Sequence, residues 1–303
     1  MVAVASQIDS GSEQFAANRA SMMTFVERLR ALEKRAQGAS AKRRATFEKR
    51  GQLIPSDRLN RLLDPGMPFL RLHTLANFGV DNPDQDTSIP GASVMVGIGF
   101  VGGARCMIWV DDSGIAAGAM TGKTGEVALS LQTICKRQKL PLIHLVESAG
   151  ANLLQYQTEL WSTFGAIFRN LAQMSAMGLP TLVVLHGGSN AGGAYMPGMS
   201  DYVIGVKENG MEALGGAALV RAATGEIAND RELGGSEMHA SVTGVVEYLV
   251  EDDAHGLLKA REVFDRLDWN RRASPVPRRV YQAPLYDVEE LAGAVPTDPK
   301  VPY

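Results

Sequence analysis

Two glycine-rich loops stand behind two similar apolar runs, and this pairing constrains the chain more than any other feature. Glu147-Ser148-Ala149-Gly150-Ala151 follows the run Leu140–Val146, and Asn190-Ala191-Gly192-Gly193-Ala194-Tyr195 follows Leu179–His186. Short apolar runs headed by Pro141 and Pro180 and closed by glycine read as buried strands, and helical spacing resumes after each loop. The matched positions look like an internal repeat, which would set both loops at the same end of adjacent strands. Glycine turns after strands often serve packing alone. Two of them side by side can also aim backbone N–H groups at one oxygen that gains negative charge.

Around this centre the pattern predicts a helix over 15–49, broken near Gly38-Ala39-Ser40, and a short helix opened by Ser56-Asp57 and stopped by Asp64-Pro65-Gly66. Residues 77–90 read as loop. Two apolar runs, Ser93–Phe100 and Ala104–Val110, meet at Gly102-Gly103 and predict a hairpin. Helices are expected over 125–137, 158–177 and 252–267, the last capped by Asp252 or Asp253, with a short strand over 201–206. After Trp269 the chain is rich in proline, from Pro275 and Pro277 to Pro302, and reads as a linker or wrapping tail. The expected division is a helical segment over 1–50, a main domain over 51–270 and a tail over 271–303.

Composition excludes several classes. The net charge of −3 gives no electrostatic case for nucleic acid. Cys106 and Cys135 form no metal or disulfide framework, so two buried thiols in a reducing, cytoplasmic setting are expected and no metal is assigned. No apolar run reaches the roughly 18–20 residues of a membrane span, and the N-terminus, with Asp9 and Glu13, is not expected to be a secretory signal. Basic residues cluster from Arg28 to Arg50. They form either a solvated helix face or, in part, contacts to ligand phosphates.

Two further motifs compete with the paired loops. Ala117–Thr124, with Gly118, Gly122 and Lys123, approximates a phosphate-binding P-loop, but Ala117 replaces the first glycine and no magnesium-holding aspartate follows. Such a loop could hold a phosphate of another ligand. Gly187-Gly188-Ser189-Asn190-Ala191 approximates a nucleophile elbow, with Asp201 or Glu212 and His239 or His255 in hydrolase order.

From about residue 20 onward the chain resembles the carboxyltransferase (beta) subunits of biotin-dependent acyl-CoA carboxylases, nearest the 3-methylcrotonyl-CoA and geranyl-CoA branch. The stretches that carry it include Arg50–Pro55, Arg61–Gly66, Gly102–Cys106, Glu147–Asn152, Phe164–Phe168, Ala191–Asp201, Leu214-Gly215-Gly216, Ala223–Glu226, Glu232–His239 and Glu251–His255. The resemblance implies a crotonase-like α/β fold of repeated ββα units. It implies an acyl-CoA substrate, and biotin carried on a partner chain as the cofactor. It also implies main-chain stabilisation of an enolate by Ala149, Gly150, Gly192 and Gly193. Ala151, Ala194, Tyr195, Gly118, Lys123, Gly215 and Gly216 become candidate substrate contacts, while Glu147, His186 and His239 are read as structural. Full subunits of this kind carry a second domain with the biotin pocket. Either a partner chain carries that domain, or this chain is a fragment, or the protein does something reduced. The expected partners are a chain bearing that domain and a biotin carrier or biotin carboxylase subunit, in a hetero-oligomer built on trimers. The loop over 114–123 and Ala149, Gly198 and Ala213 depart from the usual pattern, which leaves the acyl group open. A decarboxylase of malonyl-type thioesters and a non-catalytic assembly subunit are the competing functions.

Overall fold

A computed structural model describes residues 8–151, 158–269, 280 and 282–301. Asn152 of the first loop motif and Pro275, Pro277 and Pro302 of the tail lie outside the described residues. The chain divides into two compact units, residues 35–273 and residues 1–34 with 274–303.

The single broken helix expected near the start is two helices, α1 (Glu13–Ala41) and α2 (Arg44–Lys49). Helix α1 runs through Gly38, and the Ser40 hydroxyl two residues on donates to the buried Asp112 carboxylate at 2.6 Å. Helix α3 (Pro55–Leu62) starts with proline at its first turn, where no N–H is needed. Strand β1 (Leu70–Leu72) pairs antiparallel with β2 (Val94–Val101), which pairs antiparallel with β3 (Ala104–Asp111). The expected hairpin is present. Gly102 and Gly103 take φ of 56° and 73° in its turn, which side chains other than glycine adopt poorly. Asp64 accepts both of their N–H groups, at 3.0 and 2.7 Å.

From β3 onward the sheet is parallel. Helix α4 (Gly122–Gln138) leads to β4 (Leu142–Ser148), and α5 (Thr158–Ala176) to β5 (Thr181–Asn190). Helix α4 begins three residues earlier than expected because Thr121 and Thr124 cap it reciprocally. After β5 come α6 (Tyr195–Gly198), β6 (Tyr202–Val206), β7 (Met211–Ala213), α7 (Ala217–Thr224), α8 (Asp230–Gly234), α9 (Ser236–Met238), β8 (Tyr248–Val250) and α10 (Asp253–Leu267). The sheet order is β1-β2-β3-β4-β5-β6-β8, with β7 pairing the end of β5. Asp252 caps α10 by accepting the His255 N–H at 2.8 Å.

Alternate residues of each central strand feed two cores. Ile108, Val110, Ile143, Leu145 and Val184 pack with Leu59 and Leu62 of α3 and Leu257 and Phe264 of α10. Met107, Trp109 and Leu142 pack with Leu131 and Cys135 of α4 and Ile167 and Leu171 of α5. Both cysteines are buried free thiols. Burial pushes the Cys135 thiol up to about 12 and raises Cys106 as well.

In the smaller unit, Asn18 of α1 donates to the Gly293 carbonyl at 3.3 Å, and Ser21 bonds Thr297 at 2.9 Å. Gly293 lies in α11 (Leu291–Ala294), where a Cβ would meet the Phe15 ring at 2.5 Å.

Candidate active site

The two glycine loops leave the C-terminal ends of neighbouring parallel strands, with Ser148 of β4 opposite Ser189 of β5. They adjoin closely: a Cβ on Gly150 (φ 82°) would lie 3.2 Å from the Asn190 carbonyl oxygen. In the first loop the Ala149 N–H donates to the Ala117 carbonyl at 3.1 Å, and the Gly150 N–H to the Ser148 hydroxyl at 3.1 Å. The second loop forms a tight turn over Ala191–Ala194 that runs into α6. A Cβ on Gly192 would meet nothing nearer than Phe168 Cζ at 3.9 Å, so the main chain there is open to approach. Gly193 is buried over Ser189, and the half-exposed Tyr195 ring stands 4.7 Å from the Phe168 ring.

A cavity of about 410 Å³ opens beside these strand ends. Ser148, Ala149, Gly188 and Asn190 line it, as do Ser113, Gly114, Ala116 and Ala117. Its remaining wall is Glu147 together with Thr46 and Phe47 of α2 and the residues that flank that helix, Arg43 and Arg50. The basic cluster of the sequence thus divides: Arg43 and Arg50 face the cavity, whereas Arg44 pairs with Asp57 at 2.9 Å.

The competing motifs resolve physically. In the P-loop-like segment, a Cβ on Gly118 would lie 2.5 Å from the Glu147 carbonyl, and the Ser148 hydroxyl donates to the Gly118 carbonyl at 2.7 Å. The chain itself therefore fills the space a phosphate would need. Lys123 lies outside the cavity lining and pairs with Glu126 at 2.8 Å on α4. The nucleophile elbow is absent, because Ser189 lies within β5 rather than on a strand-to-helix turn. His239 Nε2 bonds the Glu212 carbonyl at 3.0 Å instead of serving a serine. Gly215 and Gly216 precede α7, with Gly216 as its N-cap, and Ala151 bridges to Met120.

Beneath the cavity lies a cluster that composition and motifs did not reveal. Arg58 of α3 has no exposed surface, and its guanidinium bonds Glu147 through Nη1 and Asp253 through Nε, the latter at 2.8 Å. Asp253 also bonds His186 Nδ1 at 2.8 Å and accepts the Leu53 N–H at 2.8 Å. Burial opposes the Asp253 charge, but His186, Arg58 and the Leu53 amide hold its carboxyl down at about 2. Burial lowers the His186 ring, which favours its neutral form. Glu212, opposite Ser189 on β7, is pushed up to about 7 by burial, with Glu247 adding to the rise. Among the described residues no group of three His, Cys, Asp or Glu is placed to hold a metal ion. No described helix is long and apolar enough to cross a membrane.

A family model for the carboxyl transferase domain matches residues 47–303. The chain belongs to this family. The carboxyl transferase chain is 40% identical over 277 residues to the biotin-dependent 3-methylcrotonyl-coenzyme A carboxylase beta1 subunit of Mycobacterium tuberculosis, covering 88% of itself and 50% of that protein. It is 36% identical over 297 residues to a methylcrotonoyl-CoA carboxylase beta chain of Dictyostelium discoideum, covering 97% and 50%. Its structure matches the crystal structure of the P. aeruginosa geranyl-CoA carboxylase beta subunit with a TM-score of 0.90 and 44% identity, covering 100% of this chain and 56% of that one. The expected crotonase-like α/β fold and the nearness to this branch are thereby met, and the chain spans about half the length of the relatives it matches.

Proposed function

We propose that this chain is the acyl-CoA-binding carboxyltransferase component of a biotin-dependent acyl-CoA carboxylase. The carrying observation is the adjacency of two glycine loops at the ends of β4 and β5, beside a cavity whose far wall presents Arg43 and Arg50. The two arginines suit the phosphates of the CoA nucleotide as charge-assisted donors. The uncovered main chain at Gly192 suits a flat thioester, because without a side chain there a ligand can reach the backbone.

Removing a proton from the carbon next to a thioester moves charge onto the thioester oxygen. Amide donors fixed around that oxygen favour the enolate over the neutral ester. Ala149, Gly150, Gly192 and Gly193 are the proposed donors, with Ala151, Ala194 and Tyr195 bordering the acyl group. In the first loop a bond to Ala117 or Ser148 must open to admit the oxygen. His186 is fully buried with its Nδ1 on Asp253, and His239 Nε2 bonds the Glu212 carbonyl, so neither is assigned as a base. Biotin carried on a partner supplies the activated carboxyl group. Within the cavity lining Arg43 and Arg50 fit phosphates and Ala149 fits a thioester, and no biotin half-site is assigned to this cavity. Residues 51–270 form the proposed acyl-CoA-binding domain, and a cytoplasmic setting fits the two reduced thiols.

The test is calorimetric titration of the purified chain with 3-methylcrotonyl-CoA and geranyl-CoA, followed by carboxylation assays with biotin, ATP and bicarbonate. Binding without carboxylation, and carboxylation once co-purifying partners are restored, is the expected result. Absence of thioester binding overturns the proposal. Release of CO₂ from malonyl-CoA by the chain alone would replace it with a decarboxylase.

A further inference from the structure

The alignment of the two glycine loops is set by an irregularity in the sheet. Strands β4 and β5 pair from Leu142 opposite Thr181 to Val146 opposite Leu185, and again at Ser148 opposite Ser189. Between these stretches β4 has only Glu147, where β5 has His186, Gly187 and Gly188. Regular pairing would set Ser148 opposite Gly187 and slide the second loop two residues along, about 6–7 Å. Gly150 would then no longer lie against Asn190.

Bulges of this kind re-aim residues beside active sites, and something must hold them. Here the buried cluster does so from both strands. Gly187 has no side chain, and a Cβ there would lie 2.4 Å from Glu147 Cγ, so the Glu147 side chain lies directly over the bulge. Arg58 grips the Glu147 carboxylate, and Gln52 donates to the His186 carbonyl at 2.8 Å. The His186 ring is tied to Asp253, which returns to Arg58. Burying charge in this way contributes little net stability, because desolvation offsets the attraction; fixing a register is its best-attested use.

We propose that Arg58 and Glu147 are positioning residues that lock the register of β5 against β4, and with it the alignment of the two loops on the thioester. The functional part rests on the carboxyltransferase reading above, whereas the lock is a property of the fold and is tested without turnover.

The experiment is hydrogen–deuterium exchange with mass spectrometry on the full chain, comparing wild type with Glu147→Gln and Gly187→Ala. The first is near-isosteric and the second displaces Glu147 without touching its charge. Each should raise exchange in peptides spanning 148–151 and 188–194 by about 10-fold, the size of an ordinary coupling between packed sites. Exchange in the β2–β3 hairpin and over residues 258–267 of α10, away from Asp253, should stay unchanged. Binding of 3-methylcrotonyl-CoA, measured in parallel, should weaken by a similar factor in both variants. If wild type does not bind this probe, the functional reading fails while the exchange data still decide the lock. Unchanged loop exchange, a rise spread evenly over the chain, or loss of folding in both variants would each overturn it.

Discussion

Replacing Glu212 with Gln should remove a defined part of the chain's pH dependence. Glu212 is 5% exposed, one carboxylate oxygen has no partner, and its carboxyl is raised from 4.5 to about 7 by burial. A group whose folded value lies above its unfolded one favours the fold while protonated. That contribution is complete below about pH 4.5 and is lost as pH rises through about 7. At 1.36 kcal/mol per unit the full loss is about 3 kcal/mol, of which about 2 kcal/mol falls between about pH 5 and about pH 8, because the unfolded carboxyl is already largely ionised at about pH 5. Glutamine keeps the shape of the neutral acid and never ionises. Urea denaturation at about pH 5 and about pH 8, on either side of the titration, should therefore give wild type and Glu212→Gln similar stability in acid. In base the variant should be more stable by about 2 kcal/mol. Titrating groups away from Glu212 are common to both proteins and cancel. Glu247 adds to the Glu212 rise, and His239 lies 3.9 Å from the Glu212 carboxylate, so Glu247→Gln and His239→Gln controls separate their share. A stability difference that does not change with pH would refute the reasoning.

Gly192→Val should leave the fold intact, since a Cβ there meets only Phe168 at 3.9 Å, yet abolish CoA thioester binding in calorimetry by covering the loop's main chain. The double variant Arg43→Gln, Arg50→Gln should weaken CoA thioesters about 10-fold or more at low salt. The same variant should bind a pantetheine thioester, which lacks the nucleotide, as wild type does. Asp253→Asn strands Arg58 beside a single carboxylate and should cost about 3–5 kcal/mol in urea denaturation; a cost under about 1 kcal/mol, the range of an exposed pair, would mean the cluster is not tightly coupled.

Much of the site's scaffold was legible because its signals are local. The hairpin followed from Gly102-Gly103 between apolar runs, and the start of α10 from Asp252. Glycine also misled. Gly187 and Gly188 read as part of a nucleophile elbow, but they are the bulged end of β5, where glycine makes room for Glu147. Strands β7 and β8, of three residues each, are too short to show a period. The cluster around Arg58 was illegible for another reason. Arg58 and Asp253 stand 195 positions apart, and in sequence each is an ordinary charged residue near a helix start. Only their joint burial marks them. The basic run was half-readable: its charge suggested phosphates, but the geometry of α2 decided that Arg43 and Arg50 face the cavity.

The most direct measurement is a structure of the chain bound to a non-hydrolysable CoA thioester analogue. The analogue's carbonyl oxygen should lie about 2.9 Å from an amide nitrogen of Ala149, Gly150, Gly192 or Gly193, with its nucleotide phosphates beside Arg43 and Arg50. A carbonyl oxygen bound away from both loops would contradict the proposed chemistry.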